Sequence, residues 1–187
     1  MRIIAGEWKG RRITAPKGMT VRPTPERVRE AWMSILQNDL PDALVLDLCS
    51  GTGALGLEAL SRGAALCDFV ERDARSRRAL EENIRALGAG PRSSVHAADA
   101  IEFVAHLVAP AAPFGATSPV RPVRNHVSRV CFADPPYRTG VAGKLATLWL
   151  AAPFSTILGV EHESSETLPE GGDRRHYGDT AITIYRI

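Results

Sequence analysis

The sequence predicts a doubly wound α/β domain: a mostly parallel seven-stranded sheet with helices on both faces, preceded by an N-terminal β-hairpin extension. Three observations predict it. Short apolar runs alternate with segments of helical period from about residue 43 to residue 161. A glycine-rich turn, Gly51-Thr52-Gly53, joins the first of these runs to a helix. Two final strand-like runs, at 174–177 and 181–187, face each other across Gly178-Asp179 as a closing hairpin.

Taken in order, residues 2–5 and 11–14 read as short strands, with Gly6 and Gly10 bracketing their turn. Trp8 sits in that turn and either stacks on a base or packs its own hairpin onto the body. Residues 16–23 read as loop. Thr24 suits a helix N-cap and Pro25 the first helical position. That helix runs to about Gln37, with Val28, Trp32, Ile35 and Leu36 as its apolar stripe. A strand at 43–48 leads through the glycine turn into a helix that stops at Gly63. The next strand ends at Glu71. Asp73 caps a helix over 74–87, stopped by Gly88. A strand at 93–97 precedes Asp99 and a helix over 100–108. Residues 109–125 hold four prolines and no periodicity, as in a surface loop. An apolar strand from Val130 ends in Asp134-Pro135-Pro136-Tyr137. A helix over 141–150 and a strand over 156–161 follow.

At 187 residues the chain suits one domain, here divided into a basic N-terminal arm (1–24) and a main domain (25–187). The net charge of +2 conceals an asymmetry. Residues 1–29 carry eight basic side chains against two carboxylates, a balance of +6, so the remainder carries −4. A basic arm on a slightly acidic body fits a polyanionic partner. Arg2, Lys9, Arg11, Arg12 and Arg29 are the candidate RNA contacts. Cys49, Cys67 and Cys131 suit neither a zinc site nor a disulfide framework and read as buried thiols of a reducing, cytoplasmic compartment. No apolar run approaches the roughly twenty residues that span a bilayer. No His/Cys/Asp cluster has ligand spacing, so no metal is expected. Nothing in the sequence demands a dimer, and a monomer is expected.

Two motifs carry the chemistry. Gly51-Thr52-Gly53-Ala54-Leu55-Gly56 matches the dinucleotide fingerprint, and Glu71, twenty residues beyond Gly51, suits a pair of ribose hydroxyls. The second motif, Asp134-Pro135-Pro136-Tyr137, is a stiff turn at a strand end. It offers a carboxylate and carbonyls as acceptors with an aromatic ring beyond, a site for a flat group bearing an amine.

With these motifs in hand, the sequence resembles the class I S-adenosylmethionine-dependent methyltransferases. Within them it is similar to the RsmD-type enzymes that methylate guanine N2 in 16S ribosomal RNA. The resemblance rests on Met1-Arg2-Ile3-Ile4-Ala5-Gly6, Arg22-Pro23-Thr24 with Arg27-Val28-Arg29-Glu30, the stretch from Gly53 to Ala64, Asp134-Pro135-Pro136-Tyr137, and Tyr177-Gly178. It implies a Rossmann-like methyltransferase fold. It implies S-adenosylmethionine lying along Asp47, Ser50, Gly51 and Gly53, with Glu71 on the ribose and Asp99 and Ala100 at the adenine edge. Arg22 and Thr24, with Arg27 less firmly attached to the set, are implied near the methionine end. Asp134, Pro135 and Tyr137 are the implied catalytic residues. The implied partner is 16S rRNA in an assembling or assembled small subunit. The competing readings are an amino-group methyltransferase acting on another RNA or on DNA, a nicotinamide oxidoreductase using the glycine loop, and a non-catalytic RNA-binding module.

Overall fold

The computed structural model describes residues 1–16, 26–109 and 128–187. Its sheet contains β1 (Leu44–Leu48), β2 (Leu66–Val70), β3 (Ser93–His96), β4 (Ser128–Ala133), β5 (Ser155–Glu163), β6 (Asp173–Tyr177) and β7 (Thr180–Arg186). The spatial order is β3-β2-β1-β4-β5-β7-β6. The first five strands are parallel, and β7 enters antiparallel between β5 and β6. The order turns back between β1 and β4. In doubly wound sheets that switch point leaves a crevice at the carboxyl ends of the strands.

The helices are α1 (Glu26–Ile35), α2 (Ala54–Ser61), α3 (Ala74–Leu87), α4 (Ala100–Val108) and α5 (Val141–Ala151). Helices α1, α2 and α3 bury their apolar faces on one side of the sheet, with α4 and α5 on the other. β1 shows why the central strands read as continuous apolar runs: Val45 feeds the first layer while Leu46 and Leu48 feed the second. On the first face Trp32 packs against β5, where a Cβ on Gly159 would come within 2.2 Å of its ring.

Helix boundaries follow local chemistry. Asp73 accepts the Ser76 N–H at 2.8 Å, and Gly88 ends α3 with φ +71. Two differences from the sequence reading are small. β5 extends from 155 to 163 because it pairs with strands on both sides, and a 3-10 turn at Gly90–Arg92 precedes β3. The Thr24 cap and nearly all of the proline-rich 109–125 segment lie outside the described residues. Among the described residues no helix is long and apolar enough to cross a membrane.

Residues 1–16 form a hairpin closed by a single antiparallel bridge, Arg2 to Arg12, rather than by two full strands. Ile3, Trp8 and Ile13 belong to the same apolar cluster as α1, α2 and α3. Polar clamps hold the segment as well. The fully buried Glu58 on α2 accepts the N–H groups of Ile4 (2.8 Å) and Ala5 (3.0 Å). Ser61 donates to the Ala5 carbonyl and accepts from Trp8 N–H. Trp8 therefore takes the packing role: it is buried, with the Arg92 guanidinium 4.8 Å from its ring. Gly6 is indispensable here, since its φ is +85 and a Cβ would sit 1.8 Å from the Ser61 carbonyl oxygen. Gly6→Ala is expected to destabilise by more than the ~1–2 kcal/mol of the left-handed backbone alone, as read by urea denaturation. An unchanged midpoint would contradict this docking.

Candidate active site

A cavity of about 630 Å³ opens at the carboxyl ends of β1, β2, β3 and β4. Its floor is the turn after β1. Cys49, Gly51 and Gly53 all take left-handed backbone angles, φ 59, 54 and 81. A non-glycine residue held this way is a local strain of the kind that accumulates at functional sites. Ser50 pins the turn by donating its hydroxyl to the carbonyls of Asp47 (3.0 Å) and Val70 (2.9 Å). Gly53 does not line the cavity. It opens α2 and lies so close to Leu80 that a Cβ would meet that side chain at 2.4 Å.

Asp47 is fully buried and accepts the Gly56 N–H at 2.9 Å. A Cβ on Gly56 would strike Phe69, Cys67 and Asp47, so the glycine is what lets α2 approach β1. Burial pushes the Asp47 carboxyl up to about 8, opposed by the Gly56 hydrogen bond and reinforced by Asp134 and Glu71. Both oxygens of Glu71 are in use: Oε2 accepts Gly51 N–H at 2.8 Å and Oε1 accepts Asp73 N–H at 2.7 Å. Each retains a lone pair for a ligand hydroxyl. Asp99 divides its oxygens. Oδ1 caps α4 through Ile101 N–H, and Oδ2 pairs with Arg72 at 3.1 Å on the cavity rim. Ala100 lines the cavity beside it.

Asp134, Pro135, Pro136 and Tyr137 form the opposite wall, directly after β4. Tyr137 is tethered by its hydroxyl, which lies 2.8 Å from Thr180 Oγ1 and donates to Glu161 at 3.2 Å. Burial pushes its phenol up to about 12, so it stays protonated at neutral pH. Glu161 went unnoticed in the sequence. It is buried on β5, lines the cavity and accepts the Trp32 indole N–H at 3.0 Å. Its only sequence signal was a carboxylate inside an apolar strand. Glu71, Asp99, Asp134 and Glu161 give the wall an acidic character that suits a cationic ligand, with the neutral Asp47 carboxyl beneath them.

Asn83, also unremarked in the sequence, holds the floor from behind. Buried on α3, it donates to the carbonyls of Thr52 and Thr14 at 3.0 Å and accepts Thr14 N–H at 2.9 Å. It thus ties the glycine turn to the N-terminal segment. Asn83→Leu is expected to weaken binding of S-adenosylhomocysteine about tenfold, the worth of roughly one lost buried hydrogen bond, in calorimetric titration. Unchanged affinity in a folded variant would show that the turn holds itself.

Arg22 and Thr24 lie outside the described residues. The RNA candidates separate. Arg2 and Arg12 are exposed and flank Met1, which lines the cavity. Arg29 requires a correction. It is buried, its Nη2 donating to the Arg2 carbonyl at 2.6 Å and its Nη1 to Met1 Sδ at 3.2 Å, so it braces the N-terminus instead of meeting RNA. Lys9 and Arg11 sit at the far end of the domain. The hairpin tip packs on Ser61, which ends α2, and on Arg92, which precedes β3. Arg11 reaches the Ala86 carbonyl near the end of α3. These landmarks mark the amino ends of the parallel strands, opposite the cavity.

No group of three or more His, Cys, Asp or Glu side chains among the described residues is placed to hold a metal. The three cysteines are free, with burial pushing their thiols up. His162 is a structural residue. Its Nδ1 contacts the Glu163 carbonyl and its Nε2 the Thr183 hydroxyl, and burial lowers its pKa.

A glycine turn, an acidic strand end and an Asp-Pro-Pro-Tyr wall on this strand order define a Rossmann-like methyltransferase. Comparison with known proteins gives the family. The family model described as conserved hypothetical protein 95 matches residues 1–186, and the chain belongs to that family of RsmD-type ribosomal RNA methyltransferases. It is 34% identical over 174 residues to the Escherichia coli K12 ribosomal RNA small subunit methyltransferase D, covering 90% of this chain and 78% of the relative. It is 32% identical over 195 residues to the putative rRNA methyltransferase YlbH of Bacillus subtilis, covering 100% and 98%. Among solved structures it superposes on a putative methyltransferase, yhhF, from Escherichia coli with TM-score 0.78, 31% identity and coverage of 100% and 97%. A Salinibacter ruber RNA methyltransferase in complex with S-adenosyl-L-homocysteine shares the fold at 15% identity and TM-score 0.62, covering 88% and 93%.

Proposed function

We propose that this rRNA methyltransferase moves a methyl group from S-adenosylmethionine to the exocyclic N2 amine of a guanine in 16S rRNA, within an assembling or assembled small subunit in the cytoplasm. The observation that carries the reading is the shared cavity, where the Asp134-Pro135-Pro136-Tyr137 wall faces the glycine turn. The cavity fits the cofactor on its own chemistry. Its volume lies in the range of small-molecule sites, ~300–1,000 Å³. Glu71 stands at the strand end that suits a ribose diol, and the acidic wall suits a cation.

Bound there, the cofactor supplies a methyl group made electrophilic by a positively charged sulfur. The protein's own work is positioning. The Asp134 carboxylate and the Pro135 carbonyl accept the amine hydrogens, turning the nitrogen lone pair toward the methyl carbon. The tethered Tyr137 ring offers a face to a base turned out of its RNA context. The product ammonium is acidic enough to lose its proton afterwards, so no strong base is required. Asp47 braces the turn through Gly56 and also lines the cavity, within reach of the methionine group in this reading.

The test is transfer of labelled methyl from S-adenosylmethionine to small-subunit RNA, naked and within subunits, from cells lacking the enzyme. Label recovered as N2-methylguanosine supports the proposal. Label in another nucleoside, or in DNA, keeps the fold and cofactor and overturns the substrate. Stabilisation by NAD in place of S-adenosylhomocysteine would overturn the class.

A further inference from the structure

The count of charges along the sequence points to the N-terminal hairpin as the RNA contact. The fold places that hairpin's tip at the wrong end of the domain for a base that must reach Tyr137. The cavity end carries a different pair of cations. Arg138 follows Tyr137 directly, with a left-handed backbone of φ 62. Its side chain is 80% exposed and is held in a fixed fork by Glu163, Nε at 2.9 Å and Nη2 at 2.7 Å. Glu163 occupies one edge of the guanidinium. Arg27, exposed in the first turn of α1, lies on the other side. Its Nη2 is 3.8 Å from where a Cβ would stand on Gly178, in the β6–β7 turn. Thr180, which opens β7 two residues later, contacts the Tyr137 hydroxyl. Arg27, the turn, Tyr137 and Arg138 thus form one contiguous rim.

We infer that the RNA strand bearing the target base docks across this rim, with Arg27 and Arg138 taking backbone phosphates on either side of the base that enters at Tyr137. The inference rests on the RNA-methylation reading above and names the surface that serves it. Arg138, pre-oriented by Glu163, presents its remaining N–H groups outward, the fork geometry that suits a phosphate. Among the described residues Arg27 has no acidic partner. Asp179 is exposed in the same turn and sets the edge of the basic strip. The contacts are sequence-independent. They position the strand and leave base selection to the Asp134 wall.

The test measures methyl transfer to small-subunit particles and S-adenosylhomocysteine affinity in parallel. Arg27→Ala and Arg138→Ala are each expected to raise KM for the particle about tenfold and to flatten the log–log salt dependence of binding by about one unit. Cofactor affinity should not change in Arg138→Ala. Arg138→Lys should recover part of the loss, and Glu163→Gln, which frees Arg138 without removing its charge, should keep KM within about threefold of wild type. Lys9→Ala should change nothing. Unchanged KM and salt slope in both alanine variants, or a rise confined to Lys9→Ala, would overturn the inference while leaving the methyltransferase reading intact. Wild-type protein that binds S-adenosylhomocysteine yet neither binds nor methylates RNA would overturn the proposed substrate, and the docking surface with it.

Discussion

Asp134→Ala is expected to reduce methyl transfer by about 10²–10³-fold in kcat while leaving S-adenosylhomocysteine affinity within a few-fold of wild type. The split follows from where Asp134 stands. It begins the wall after β4, across the cavity from the glycine turn, Glu71 and Asp99. On the proposed mechanism its carboxylate accepts from the amine as the nitrogen becomes tetrahedral, an interaction strongest in the transition state, so its loss appears in kcat. Removing a carboxylate from an acidic wall leaves the cofactor's other contacts in place. Single-turnover rates with labelled cofactor, alongside calorimetric titration, separate the two quantities. A variant with full turnover would sink the assignment of Asp134. One that loses cofactor affinity in proportion to its rate would move the residue into the cofactor site.

Asp47→Asn is expected to stabilise the cofactor-free protein, and increasingly so as pH rises. Burial holds the Asp47 carboxyl at about 8 in the fold, against 3.8 for the free side chain. Between those values the unfolded chain has released the proton while the folded chain keeps it. Stability contributed by the neutral form is complete below pH 4 and is lost as pH climbs toward 8, by at most ~1.4 kcal/mol per pH unit. Asparagine is uncharged throughout, and its carbonyl still accepts the Gly56 N–H. The stability difference between variant and wild type should therefore be smallest near pH 4 and should widen to several kcal/mol, ~5 at the upper limit, by pH 8. Urea denaturation at four pH values measures it. Parallel profiles would show that Asp47 is already ionised at neutral pH and that a neighbouring group compensates its burial.

Much of this was legible in the sequence because the signals are local. Apolar runs, the Gly51-to-Gly56 spacing and the Asp73 and Asp99 caps act within one or two turns of chain. The doubly wound order then follows from connection rules that leave few alternatives. Other features were not legible, each because it depends on packing between distant segments. Glu161 acquires its place from Trp32, 129 residues away in sequence, and from Tyr137, 24 away. Arg29 looked like an ordinary helix-surface arginine until the N-terminus folded over it. The hairpin tip, with Lys9 and Arg11, shows the limit of a charge count: it gives the amount of positive charge and carries no information about which end of the sheet that charge will face.

The placement of Thr180 bears on how the enzyme comes into being. Its hydroxyl anchors Tyr137, yet it begins β7, an inner strand of the sheet and the latest of its strands to be translated. The cofactor floor, the caps, the Asp-Pro-Pro-Tyr wall and Glu161 can all emerge from the exit tunnel while the aromatic platform still lacks the shorter of its two hydroxyl contacts. Fixing the Tyr137 ring in place therefore depends on the strand that is made last.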